Sequence, residues 1–294
     1  MDTAAFIGID WGTTNLRGWL VDSAGTPLDS RSSGDGMGGL AATRFPDALD
    51  RLTSGWPDLP ILACGMVGAR QGWIEAPYVP SPASAATLAE GLVSAPGRTD
   101  VLIVPGVAMH DGAGRLVDVM RGEETQAVGV AAGDDKLLIC PGTHSKWIET
   151  RQGQVRGFQT FMTGELNALL GRQSVLRHSV AAEASQSPAF TAAVQEMLDG
   201  ASLGGALFSI RVGGLDGRLS PQDAASRLSG LIIGSEVADG VARFGIRPVS
   251  LIGDQALSAF YASALATAGY TELEFLDAAL AVCRGLARIR RSGP

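Results

Sequence analysis

Two short runs of small polar residues, each set where one apolar stretch gives way to another, are the first places in this chain that could do chemistry. In "FIGIDWGTTNLRGWLVD" (6–22) an apolar run ends at Asp10, turns through Gly12-Thr13-Thr14-Asn15 and resumes. In "KLLICPGTHSKWIET" (136–150) the same order recurs around Gly142-Thr143-His144-Ser145, with the two glycines 130 residues apart. A hairpin turn would account for either alone, since Gly and Asn suit turn geometry. Recurrence at half-chain spacing points instead to a duplicated unit. Backbone N–H groups at a glycine corner, with Thr and Ser hydroxyls, make an uncharged cradle for phosphate oxygens. Two such cradles could grip one polyphosphate. A carboxylate beside phosphates repels them unless a cation such as Mg²⁺ sits between. Asp10 is therefore the candidate metal anchor, and Cys140 stands at the matching place in the second copy. His144 is read either as a phosphate contact or as a hydrogen-bonding turn residue.

These corners need rigid elements behind them. Residues 5–10 and 16–22 read as a hairpin, and 60–63 and 101–104 as buried strands bounded by Gly and Pro. "ATRFPDALDRL" and "AATLAEGLV" look helical, whereas "APYVPSPAS" (76–84), with three prolines, is expected to be irregular. Residues 136–140 form the strand before the second corner. A Thr-capped helix is expected to start within "QTFMTGELNALLG" (159–171). "SRLSGLIIGSEVADGVARFG" is expected to be helical, "PVSLIGDQAL" (248–257) a strand, turn and helix, and the end an amphipathic helix with arginines in its last turns. Strands alternating with helices predict a layered α/β fold.

The totals narrow the field. A chain of 294 residues, 46% hydrophobic and 18% charged, can bury one large core or two. A net charge of −7 argues against broad adhesion to nucleic acid or membrane. Three scattered cysteines indicate neither a disulfide framework nor a zinc site. With no signal peptide and no apolar run of about 20 residues, a cytoplasmic location is expected.

Two motif matches fail on context. Gly34-Asp35-Gly36-Met37-Gly38-Gly39 fits GxGxxG but follows the polar "DSRSS", not a strand that would aim it at a pyrophosphate. Gly200-Ala201-Ser202-Leu203-Gly204 fits GxSxG but follows a helical pattern, unlike a nucleophile elbow.

The paired hairpins and the stretches "IDWGTTNLRGWL", "CGMVGARQGWIEAPYVPSP", "VMRGEETQAVG", "CPGTHSKWIE", "TFMTGELNALL" and "LSGLIIGSEV" run in order over nearly the whole chain. Together they resemble the 2-dehydro-3-deoxygalactonokinase family, within the actin-like ATPase and sugar-kinase superfamily. The resemblance implies two RNase H-like domains flanking a nucleotide cleft. It puts an amino-terminal domain at 1–134 and a carboxy-terminal domain at 135–294, with the last helix, about 275–291, crossing back. It also implies ATP-dependent phosphorylation of 2-dehydro-3-deoxy-D-galactonate at its 6-hydroxyl. The alternatives are another 2-keto-3-deoxy sugar acid as acceptor, or an actin- or chaperone-like ATPase with no small acceptor. The chain could pair as a homodimer.

Roles follow from the resemblance. An acidic residue before the second hairpin serves as base in related sugar kinases. Glu123 fits that place, with Glu124 its rival. The acceptor's carboxylate calls for cations, and Arg17, Arg121 and Lys146 are the candidates. Gly65, Met66 and Trp73 would line the sugar pocket, although Trp73 is equally well read as plain core. Gly234 and Gly253 would wall the adenosine, with Asp254 either contacting the ribose or capping the next helix.

Overall fold

The computed structural model describes residues 3–131, 133 and 135–293. β1 (Phe6–Trp11) and β2 (Leu16–Val21) form the expected antiparallel hairpin, with Asp10 opposite Arg17. β3 (Pro27–Ser33) pairs with β2 at the sheet edge. The polar "DSRSS" is thus strand rather than loop, because an edge strand with a solvated face tolerates polar side chains. α1 (Phe45–Thr53) follows, with Pro46 in its first turn, where a missing N–H costs nothing. β4 (Ile61–Gly65) runs parallel to β1 and is buried along its length, as a strand covered on both faces should be.

β5 (Tyr78–Pro80), α2 (Ala85–Glu90), β6 (Val93–Ala95), β7 (Arg98–Ile103), β8 (Gly106–His110), β9 (Leu116–Met120) and α3 (Glu123–Val130) come next. The proline-rich stretch expected to be irregular therefore contains a short strand. Among the described residues β5 pairs only with β8, so Pro80 at that edge breaks no ladder. The helix expected across "AATLAEGLV" stops at Glu90, with Gly91 as its C-cap, and Val93 begins a strand.

The remaining strands are β10 (Lys136–Cys140), β11 (Ser145–Arg151), β12 (Gln154–Phe161), β13 (Val249–Ile252) and β14 (Leu273–Leu276). The remaining helices are α4 (Thr163–Gln173), α5 (Pro188–Leu198), α6 (Leu203–Leu215), α7 (Pro221–Phe244), α8 (Gln255–Thr267) and α9 (Ala278–Ser292). Side chains of Ser220, Asp254 and Asp277 cap α7, α8 and α9, each accepting from an N–H three residues on.

The duplication shows in strand order. One sheet reads β3-β2-β1-β4-β7-β6 and another β12-β11-β10-β13-β14. In each the third, second, first and fourth strands of the half-chain lie side by side, and the first and fourth are parallel.

Two compact units result. The first holds the chain up to Lys136, the stretch Ile148–Gln159 and everything from Leu276; the second holds Leu137–Trp147 and Thr160–Phe275. The boundary expected at 134 lies outside the described residues. The first core gathers Trp11, Phe45, Trp73, Ile9 and Ile103, and the second Trp147, Phe190, Val237 and Tyr261. α9 belongs to the first unit and packs on α3 at backbone distance. A Cβ on Gly285 would stand 1.9 Å from the Thr125 carbonyl oxygen.

Candidate active site

Each glycine corner is held from behind by a second segment that occupies its carbonyl groups. In the first unit, Gly12 N–H donates to the Asn15 carbonyl at 2.9 Å. Met37 N–H then reaches the Gly12 carbonyl (3.0 Å), and Gly38 N–H the Thr13 carbonyl (2.9 Å). A Cβ on Gly36 would come within 2.2 Å of the Thr14 carbonyl carbon, so glycine is required there. The GxGxxG match at 34–39 follows strand β3, yet no α-helix starts from it; the segment buttresses the corner. Thr13, Thr14 and Asn15 are left exposed.

In the second unit the start of α4 does this work. Glu165 N–H donates to the Thr143 carbonyl at 3.0 Å, and a Cβ on Gly164 would lie 2.5 Å from the Gly142 oxygen. His144 Nε2 bonds the carboxylate of Glu165, in the first turn of α4, at 2.5 Å. Lys146 is buried and donates to the His144 carbonyl at 3.0 Å, so its ammonium is engaged within the corner. Gly253 adjoins the same corner, 3.4 Å from the Pro141 oxygen to its notional Cβ.

Asp10 is about a fifth exposed, and Arg17 stands 3.7 Å away. Burial pushes its carboxyl from 3.8 up to about 6, opposed by Arg17 and reinforced by the negative charge of Glu123. Two glycines allow this crowding. Gly65 has φ +91°, and its notional Cβ would stand 2.8 Å from the Trp11 oxygen and 3.2 Å from Asp10 Oδ1. Gly122, at φ +111°, faces the Cα of Gly65 and starts α3, which begins with Glu123.

The two adjacent glutamates differ. Glu124 is fully buried and accepts from Gly122 N–H (2.6 Å) and the Thr125 hydroxyl (2.9 Å), so each oxygen of its carboxylate is bonded to a sequence neighbour. Burial, then the neighbouring Glu123, lifts its pKa from 4.5 to about 7. Glu123 is half-buried and coupled to Asp10.

Arg121 is nine-tenths buried. Its Nη2 donates to the Ala76 carbonyl at 2.8 Å and its guanidinium lies 4.4 Å over the Tyr78 ring, while Nε and Nη1 have no hydrogen-bond partner among the described residues. Trp73 stacks on Phe45 and meets Trp11 edge-on, so it is core and not a pocket wall. Met66 opens a short 3-10 turn after β4 and packs against the same core.

A cavity of about 460 Å³ lies within the second unit, lined by Gly142, Thr163, Asn167, Ile233, Leu257 and Phe260 among others. Asn167, Leu257 and Phe260 were not foreseen. The first is on α4 and the other two are on α8, and those two are apolar residues that a sequence pattern assigns to core. Gly234 is directed elsewhere: its notional Cβ would stand 2.8 Å from Val194 Cα, so it serves α5–α7 packing instead of the nucleotide wall. Asp254 caps α8, accepting from Leu257 N–H at 3.0 Å. The expected Thr cap of α4 is absent. Met162 holds the N-cap position without a side-chain bond, and the Thr163 hydroxyl donates to Glu236.

Among the described residues no cluster of three His, Cys, Asp or Glu side chains could hold a metal. Asp10 alone fits a cation that keeps its waters and leans on phosphate oxygens, which is how Mg²⁺ binds nucleotides.

The repeated strand order and paired corners are those of the actin-like ATPase and sugar-kinase fold. Component A of (R)-2-hydroxyglutaryl-CoA dehydratase from Acidaminococcus fermentans shares the fold at 13% identity, TM-score 0.54, covering 98% of both chains. A crystal structure from Sinorhizobium meliloti, provisionally described as a 2-dehydro-3-deoxygalactonokinase, superposes with TM-score 0.89 at 40% identity, over 97% of this chain and 98% of that one. The family model for 2-keto-3-deoxy-galactonokinase matches residues 10–289, and the chain belongs to that family. Two curated relatives are similar. The "Probable 2-dehydro-3-deoxygalactonokinase" of Rhizobium meliloti strain 1021 is 41% identical over 99% of both chains. The 2-dehydro-3-deoxygalactonokinase of Escherichia coli K12 is 36% identical over 91% of both. The protein is thus a kinase, a phosphotransferase that acts on a sugar acid.

Proposed function

We propose that the chain transfers the γ-phosphate of ATP to the 6-hydroxyl of 2-dehydro-3-deoxy-D-galactonate, in the cytoplasm. The electrostatic influence of Glu123 on Asp10, with the close approach of Gly122 to Gly65 and of Gly65 to Asp10, carries this reading. Phosphoryl transfer is mostly positioning and charge neutralisation, with one group to take the hydroxyl proton. Glu123 is that base, since Glu124 is already committed to Gly122 and Thr125. Asp10 would hold Mg²⁺, which when bound neutralises phosphate charge. The exposed Thr13, Thr14 and Asn15 and the corner at Gly142-Thr143 contact phosphates, and the second unit's cavity takes the adenosine. Arg17, near Asp10, and Arg121, with two nitrogens unengaged, are the cations for the acceptor's carboxylate.

The test is ADP release across a panel of 2-keto-3-deoxy sugar acids, with and without EDTA. Dependence on the galactonate-derived acid, lost in EDTA and restored by Mg²⁺, supports the reading. Preference for another acid changes the acceptor, and hydrolysis indifferent to every acid selects the ATPase alternative.

A further inference from the structure

Glu236, on α7, has a carboxylate that is 2% exposed and receives four donors. The Trp147 indole N–H (2.8 Å) and the Ser145 hydroxyl bond one oxygen; the Tyr261 hydroxyl (2.6 Å) and the Thr163 hydroxyl bond the other. The donors come from β11, from the first residue of α4 and from α8. A buried carboxylate is costly to desolvate, and an apolar residue of similar volume would often serve stability as well or better. What a carboxylate adds is direction: it fixes four hydroxyl and indole groups at once.

Two of those groups reach the cavity. Thr163 and Tyr261 line it, and Ser145 closes the Gly142–Ser145 corner. Glu236 does not reach the cavity surface itself. We propose that Glu236 is a positioning residue for the nucleotide: through Ser145, Thr163 and Tyr261 it locks the second phosphate corner, the start of α4 and the α8 wall into the shape that binds ATP. This rests on the reading that the second unit's cavity takes the adenosine.

Glu236→Gln keeps the volume but leaves an amide N–H₂ facing hydroxyl donors. The full chain is assayed by calorimetric titration with ATP, by KM for ATP and for the sugar acid, and by melting temperature. Ala256→Trp, which fills the cavity, is run beside it. The proposal expects Glu236→Gln to raise Kd and KM for ATP ten- to a hundredfold with the sugar-acid KM within twofold. A lowered melting temperature with ATP affinity intact overturns it, leaving Glu236 purely structural. If Ala256→Trp leaves ATP affinity intact, the cavity reading falls and takes this proposal with it; if Ala256→Trp abolishes binding and Glu236→Gln changes nothing, only the role of Glu236 falls. Should Glu236→Gln not fold, Thr163→Val and Tyr261→Phe each remove one donor. Each is then expected to weaken ATP several-fold, and unchanged affinity in both overturns the proposal.

Discussion

Arg17 faces Asp10 across the first hairpin, residue opposite residue in the ladder, with guanidinium and carboxylate 3.7 Å apart. Arg17 holds down a carboxyl that burial and Glu123 push up to about 6. Arg17→Ala removes that lowering influence, so the Asp10 carboxyl should rise further. The acidic limb of kcat/KM against pH, expected near 6 in the native protein if Asp10 sets it, should move to higher pH. An unmoved limb would show that Asp10 does not set it.

A positioned base contributes about 10²–10⁴ in rate. Glu123→Gln should therefore cut kcat at least a hundredfold while ATP still binds. Near-normal turnover in this variant, with a large loss in Glu124→Gln, would reverse the two assignments.

Glu124 makes a prediction about stability. Its proton is held more tightly in the folded state, because burial lifts the pKa from 4.5 to about 7. Its stabilising contribution is complete below about pH 4.5 and is lost as pH rises through about 7. Glu124→Gln should flatten the pH dependence of the first unit between pH 5 and 8 by up to about 3 kcal/mol. Hydrogen exchange in α3 at both pH values measures it. Identical slopes in the two proteins would rule it out.

The buttresses can be broken by single methyl groups. Gly36→Ala and Gly164→Ala place a Cβ 2.2 and 2.5 Å from backbone atoms of the first and second corners. Both should raise KM for ATP at least tenfold and cost about 1–3 kcal/mol of stability, as overpacking does. Gly34→Ala and Gly204→Ala, with nothing within 4 Å, are the controls and should behave as wild type. Equal behaviour of all four in ATP kinetics would deny the corners their role.

The fold was legible in the sequence wherever a pattern was local and periodic. The hairpin at 6–22, the strand–corner–strand at 136–150 and helix α7 each carry their signal within one stretch. Misreadings came where tertiary position decided. "DSRSS" and Tyr78–Pro80 are strands because they lie at sheet edges, which propensity does not register. Thr163 had the right residue type for a cap, but a carboxylate 73 positions away took its hydroxyl. Trp73 and Gly234 were sorted by neighbours that only packing reveals, Phe45 for one and α5 for the other. The GxGxxG match failed as a motif, yet Gly36 is needed for a reason of contact with Thr14 that no spacing rule contains.

The docking of α9 on α3 bears on how the protein is made. Residues 278–292 are synthesised well after residues 123–130, yet they seal the helix that starts with Glu123. The amino-terminal half must therefore wait, partly assembled, while the other half is translated, reversing the usual order in which domains mature as they emerge. The helix that begins with Glu123 gains its cover only once α9 has been made.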